Sequence, residues 1–361
     1  MLQIVGVVVA SLWQIGLSYV FLQSGIAGHL ARLVEKDSQM QFLRAATYFL
    51  FFFVYLFVLS LPVKVLLEYC PDKAYDLSAN TSFSFLVKKC LDFVVNLITM
   101  IPIFALAMEF TKRFPRHWGY CTGIMLAVSS AFQMVFLPAV LEENSAYLKP
   151  LSKPDVQMRV DAIFKKAGLD GAKVLVENVT ETKKLNAYAT GAGPTSRFIL
   201  YESVVNKLSA DEIESMIAHE ISHIKLNHLM LNVCLTCAFL FLAPVAAQYL
   251  APLVIPHLPE KWAIKTVADL PVIALTALIV LTGNFISLPV QNYFSRQFER
   301  QADAQALALT GNPEAFARQL ADFARANLDD MDPPFWAVVT LYSHPSVKER
   351  IETALRCRSN Q

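Results

Sequence analysis

The chain has 361 residues, 55% of them hydrophobic and only 17% charged, with a mean hydropathy of +0.42. Soluble domains carry about a quarter charged residues, so this composition excludes an ordinary soluble protein and points to the membrane. A formal net charge of +1 supplies no global field to draw nucleic acid or an acidic ligand.

Residues 4–22 contain no charge, and residues 45–63 are dense in Phe, Leu and Val. Each stretch is long enough to cross a hydrocarbon core of about 30 Å as a helix. No basic residue precedes the first and no small-residue cleavage site follows it, so it reads as an uncleaved anchor rather than a signal peptide. Further apolar stretches at 91–110, 118–141, 229–254 and 271–290 bring the candidate spans to six. As buried helices of a soluble core they would need a far larger polar shell than this chain has. Asp92, Asn96 and Glu109 are costly against lipid and are expected to face protein or a water-filled cavity, with helix-end positions an alternative for Asp92 and Glu109. The four cysteines at 90, 121, 234 and 237 lie in or beside apolar segments and read as small buried hydrophobes. Basic residues near the span ends number eight on one face and nine on the other, so they do not orient the chain.

From 142 to 227 the pattern changes. Residues 152–168 read as an amphipathic helix opening near Pro154, and 173–179 and 197–201 as short strands separated by a polar, glycine-containing stretch. Ser209-Ala-Asp-Glu212 is a capping box, and the helix it opens is expected to pass through His219 and His223 directly into the span at Leu229. Residues 294–309 and 313–327 are again soluble and helical. The expected fold is therefore mainly α, a polytopic helical membrane protein of about six spans. Its parts are a membrane domain of about four spans (1–141), a first catalytic half (142–228), a membrane hairpin (229–290) and a second catalytic half (291–361). The catalytic domain is thus split, and it includes a small β-sheet.

His219-Glu220-Ile221-Ser222-His223 is an H-E-x-x-H motif. Residues four apart on a helix share a face, so the two imidazoles can hold one zinc ion while Glu220 reaches a water as general base. A hydrolytic zinc site keeps three protein ligands and one open position. On a continuous helix His228 falls on the face opposite His219 and reads as an interfacial residue; no histidine lies where the metzincin layout needs one. Glu299 lies in Ser295-Arg-Gln-Phe-Glu-Arg-Gln-Ala-Asp303, on a helix leaving the sixth span, with Asp303 one turn on to hydrogen-bond a ligand histidine. Spacing alone leaves two readings of Glu299 open, a third ligand or part of a solvated charged face with Arg296 and Arg300.

Asn186-Ala-Tyr-Ala-Thr-Gly191, the Asp211-Glu212 lead into HEISH, SRQFERQAD, and Tyr342-Ser-His-Pro345 followed by Arg350 occur in that order. On these motifs the chain resembles the membrane gluzincins, zinc metalloproteases that include the type I CaaX prenyl endoprotease and the related heat-shock membrane protease. The likeness covers about residues 150 to 355. A weaker one over 61–150, and the phrase Ala324-Arg-Ala-Asn-Leu328, favour the prenyl endoprotease branch. The resemblance implies one Zn2+ per chain, held by His219, His223 and Glu299. It implies that Asn186 lies by an edge strand that pairs with substrate backbone, and that His344 and Arg350 lie near the cleaved carbonyl or orient groups behind the site. The expected partners are the bilayer and a polypeptide, with no nucleic acid; the resemblance implies that the polypeptide is either a prenylated C-terminal peptide or a misfolded membrane protein, and that the catalytic domain faces the cytoplasm. Without the resemblance, His344 reads as part of a helix-start loop and Arg350 as a surface ion-pair residue. The prenyl endoproteases have seven spans, against six counted here. A non-catalytic scaffold on this fold would show damage to HEISH or Glu299, and neither is damaged.

Overall fold

The computed structural model describes residues 2–37, 40–143, 148–179, 181–190 and 196–359. Helix α1 (Leu2–Gln23) ends before Gly25, whose φ of +77° lets the chain reverse into α2 (Ile26–Asp37). Ala27, Ala31 and Val34 line one side of α2 and are buried. Helix α3 (Gln41–Lys64) continues through a π-helical turn at Val65–Tyr69 into α4 (Cys70–Ala74). Helix α5 (Ser82–Arg113) opens on a capping box between Thr81 and Ser84, and α6 (Trp118–Glu143) follows.

Six helices among the described residues are long and apolar enough to cross a membrane: Val5–Gln23, Gln41–Ala74, Ser82–Arg113, Trp118–Phe136, His228–His257 and Val272–Thr310. Phe21, Tyr48, Phe49 and Phe52 form the centre of the membrane-side core, joined by Ala105 and Met108 of α5 and by Ile273 and Ala274. Most other span surface is exposed, as lipid-facing helices require. Cys90 and Cys234 are exposed on it too, which corrects the expectation of buried cysteines. Asp92 and Asn96 also stay exposed rather than packing into protein; Asn96 donates to the Asp92 carbonyl, and Glu109 pairs with Arg113 one turn on.

The soluble part begins with β1 (Leu148–Pro150) and α7 (Pro154–Ala167), which stops at Gly168 in the left-handed conformation. Then come β2 (Lys173–Glu177), β3 (Ala187–Thr190) and β4 (Arg197–Tyr201), then α8 (Glu202–Lys207). The sheet order is β1-β2-β4-β3, with β2 and β4 parallel and the outer pairs antiparallel. Strand β1 was not expected, and β3 only as the edge strand that the resemblance implied beside Asn186; at three and four residues they are too short to show an alternating pattern. Gly191 lies outside the described residues.

Helix α9 (Ala210–Lys225) opens on the expected capping box, Ser209 with Glu212. It does not run on into the next span. Asn227 adopts the left-handed conformation (φ 56°) and its N–H bonds back to the Ile224 carbonyl, ending the helix before α10 (His228–Val254). Asparagine tolerates this conformation better than other non-glycine residues. Helices α6 and α10 pack closely because Gly119 and Gly123 lack side chains. A Cβ on Gly123 would meet the Phe241 carbonyl oxygen at 2.7 Å, and one on Gly119 the Pro244 oxygen at 2.6 Å.

Helix α11 (Val272–Thr310) is one element whose apolar half spans and whose polar half enters the soluble core; α12 (Pro313–Asn327), α13 (Phe335–Leu341) and α14 (Val347–Ser359) complete the chain. Val160 and Ile163 of α7, Phe198 and Leu200 of β4, Ile213, Ile217 and Ile221 of α9, and Ala306 of α11 are essentially inaccessible and form the soluble core. Each large apolar side chain there contributes about 1.5–3 kcal/mol of burial. Together they fix the polar half of α11 beside α9.

A second tie joins the membrane part to the sheet. Asp72 pairs with Lys184 (2.8 Å), Asp76 with Lys183 (2.6 Å), and Lys88 with Glu181. Backbone bonds Ala79 N–H to Glu181 and Lys183 N–H to Leu77 lie among them. The loop leading to β3 is therefore stitched to the loop after α4.

Candidate metal centre

His219 and His223 lie one turn apart on α9, and α11 brings Glu299 against both. His219 Nε2 is 3.1 Å from His223 Nε2 and 3.3 Å from Glu299 Oε2; His223 Nε2 is 3.4 Å from Glu299 Oε1. Glu299 is 7% exposed, yet its enclosed Oε2 accepts no well-formed hydrogen bond. Two imidazole nitrogens and both oxygens of one carboxylate thus converge, with Glu299 Oε2 left unsatisfied. A tetrahedral ion with metal–N and metal–O distances of about 2.0–2.2 Å separates its ligand atoms by roughly 3.3–3.5 Å. The observed separations of 3.1, 3.3 and 3.4 Å, the last two to different oxygens of Glu299, are close to that, so the residues present fit a metal of this kind, and no other group of His, Cys, Asp or Glu among the described residues converges so.

Asp303 Oδ1 lies 2.9 Å from His219 Nδ1, on the side of the ring away from the triangle. Arg350 grips the same carboxylate with two bonds, Nε to Oδ2 at 2.8 Å and Nη2 to Oδ1 at 2.6 Å. Its Nη2 is also 3.8 Å from Glu299 Oε2. Burial disfavours the His219 cation, but Asp303 and Glu299 outweigh it, and in the metal-free chain its pKa is pushed up to about 9. Burial raises the Glu220 carboxyl above its ordinary range against the pull of the neighbouring imidazoles, which brings it closer to neutrality, where a general base works best.

The site opens on a cleft of about 710 Å³, lined by His219, Glu220, Glu299, Asn186, Tyr342, His344 and Arg350 among others. Glu220 therefore faces the cavity that the donor triangle faces. The His344 ring is half exposed at the cleft wall, with Nε2 3.5 Å from Glu299 Oε1. Asn186 precedes β3, one of the two outer strands of the sheet, and its carbonyl accepts from Tyr201 N–H. Asn327 at the end of α12 holds the adjacent Leu185 by both its N–H (2.8 Å) and its carbonyl (3.0 Å). Arg296, which spacing had grouped with a solvated face, is buried and donates to the carbonyls of Val338, Val339 and Tyr342, so it carries the segment bearing His344.

Sequence reasoning missed His228. The break at Asn227 folds it back onto the site, with Nδ1 2.9 Å from His223 Nδ1 and Nε2 3.1 Å from Gln301 Oε1. The available signal was Lys225-Leu-Asn227, where asparagine marks a helix end.

Comparison with known proteins follows the same division of the chain. Residues 150–358 match peptidase family M48, and residues 6–142 match a family described as the CAAX prenyl protease N-terminal, five membrane helices. In that second region the chain has four span-length helices and the twelve-residue α2. The uncharacterized metalloprotease YhfN of Bacillus subtilis (strain 168) is 26% identical, over 94% of this chain and 79% of its own. A CAAX prenyl protease 1 homolog of Oryza sativa subsp. japonica is 24% identical, over 90% and 76%. The crystal structure of S. mikatae Ste24p matches with a TM-score of 0.76 at 21% identity, covering 93% of this chain and 82% of that one, so the fold is shared. With its multiple membrane helices and a family match over more than half its length, the chain belongs to peptidase family M48 and is a multi-pass membrane metalloprotease.

Proposed function

We propose that this protein is a zinc-dependent endopeptidase with His219, His223 and Glu299 as metal ligands and Glu220 as general base. The observation that carries this reading is the donor triangle at the base of a cleft that Glu220 also lines. Bound zinc supplies Lewis acidity to polarise the scissile carbonyl and to acidify water. Glu220 accepts a proton from the attacking water and passes it to the departing amine, a task suited to a carboxyl raised toward neutrality by burial. Asp303, fixed by Arg350, lies 2.9 Å from His219 Nδ1 and orients that ring. His344, with its half-exposed ring on the cleft wall, is placed to donate to the oxygen on which charge develops.

Substrate backbone adds to the outer edge of β3 beside Asn186. The catalytic unit is built from 142–228 and 291–361 with a membrane hairpin inserted, and it faces the cytoplasm. The preferred substrate is a polypeptide with a lipid-embedded part, of the prenylated C-terminal kind. The likeness of residues 6–142 to a CAAX prenyl protease N-terminal domain supports that choice. The test compares parent and Glu220→Gln protein in lipid nanodiscs, with metal content by mass spectrometry and cleavage of a farnesylated C-terminal peptide. One zinc in both, with turnover falling by about a thousandfold or more in the variant, is expected. Equal turnover sinks the assignment of Glu220. Cleavage of an unfolded membrane protein but not of the farnesylated peptide moves the substrate to the quality-control class.

A further inference from the structure

Each histidine of the donor triangle presents Nε2 to the centre, so each has an Nδ1 left over. For His219 that atom faces Asp303. For His223 it faces another imidazole: His223 Nδ1 to His228 Nδ1 is 2.9 Å, and His228 Nε2 to Gln301 Oε1 is 3.1 Å. His228 is 4% exposed and its ring stacks on Phe298, centroids 4.5 Å apart and planes 20° apart, so the ring is held flat. A neutral imidazole has one N–H and one bare nitrogen, and a metal ligand must offer the bare one. If His223 offers Nε2, its hydrogen sits on Nδ1 and donates to His228 Nδ1. His228 then carries its own hydrogen on Nε2 and donates to Gln301 Oε1. The opposite pattern places a hydrogen on His223 Nε2, pointing into the triangle where it blocks ligation.

Resting on the reading that His219, His223 and Glu299 hold zinc, we infer that His228 and Gln301 are positioning residues of the metal centre. They form a neutral relay that fixes the tautomer and ring plane of His223, as Asp303 does for His219. The relay is built by two local features. Asn227 ends α9 in a left-handed turn that returns His228 to the site, and α11 carries Gln301 two residues from the ligand Glu299. A single stretch of α11 thereby supplies one ligand and reaches behind both imidazoles.

The experiment measures zinc affinity by chelator competition on the full chain in nanodiscs, together with the melting temperature of each metal-free protein. His228→Phe keeps the ring and its stacking but offers no acceptor, and its zinc affinity should fall by about tenfold or more. His228→Asn places an amide oxygen where Nδ1 stood and should recover affinity to within about threefold of the parent. Gln301 is on the exposed side of α11, so its substitutions test the relay without touching the core. Gln301→Glu keeps the acceptor and should bind as the parent does, whereas Gln301→Leu should weaken binding by about threefold or more. Parent-like affinity in both His228→Phe and Gln301→Leu overturns the relay while leaving the zinc site standing. Equal loss in His228→Asn and His228→Phe makes His228 a packing residue and likewise overturns it. A parent chain that takes up no zinc overturns the site itself, and the relay with it.

Discussion

The charge state of His219 makes zinc uptake a proton exchange whose slope follows from the structure. In the metal-free chain the imidazole lies between Asp303 Oδ1 at 2.9 Å and Glu299 Oε2 at 3.3 Å, and its pKa is pushed up to about 9 from an ordinary 6.5. At pH 7 most chains therefore carry the cation, a proton standing where the metal would sit. Binding must expel that proton, so apparent zinc affinity should rise by about tenfold per pH unit near neutrality and level off as pH passes about 9. The stability of the metal-free chain runs the other way. A raised folded-state pKa contributes stability that is fully present below 6.5 and is lost as pH rises through about 9. Isothermal titration in two buffers of different ionisation enthalpy counts the protons released, with about one from His219 expected at pH 7. Affinity that is flat from pH 6.5 to 8.5, with no proton release, refutes this account of the carboxylates around His219.

Three further outcomes follow from geometry. Asp303→Asn leaves the Arg350 guanidinium, 12% exposed, without its bidentate partner; it should cost about 3–5 kcal/mol of stability and 10–100-fold in zinc affinity. Adding Arg350→Met should restore the stability but not the affinity, as read by melting and chelator competition. Gly123→Leu forces α6 from the Phe241 carbonyl and should lower unfolding stability by about 1–3 kcal/mol while zinc binding persists. Asn327→Leu removes two bonds to Leu185, next to the edge strand, each worth about 1 kcal/mol; KM for a polypeptide should rise more than kcat falls.

What the sequence revealed depended on range. The spans were legible because length and hydropathy are local properties, and the start of α9 because a capping box is four residues long. HEISH carries its own geometry once it is on a helix. Spacing could not decide Glu299, because its neighbours Arg296 and Arg300 look alike in the sequence. In the structure Arg296 is buried under three carbonyls while Arg300 pairs with Glu349 at the surface. His228 was misplaced for an opposite reason. Helical geometry was applied across Asn227, and one residue in a left-handed conformation was enough to turn a side chain from the far face into the site. The short strand β3 owes its place to pairing with β4 and to the stitches at Asp72, Asp76 and Asn327, all distant in sequence.

Both helices that carry the donor triangle are continuous, or nearly so, with the bilayer. Helix α11 passes from lipid to Glu299 without interruption, and α9 reaches α10 through a turn of two residues. From residue 290 to Glu299 the rise is about 13 Å, so a 5° change in helix tilt displaces Glu299 sideways by about 1 Å. That shift is comparable to the tolerance within which a catalytic constellation must be held. Bilayer thickness acts on tilt through hydrophobic matching. Turnover is therefore expected to track acyl-chain length even for a substrate that never touches the lipid.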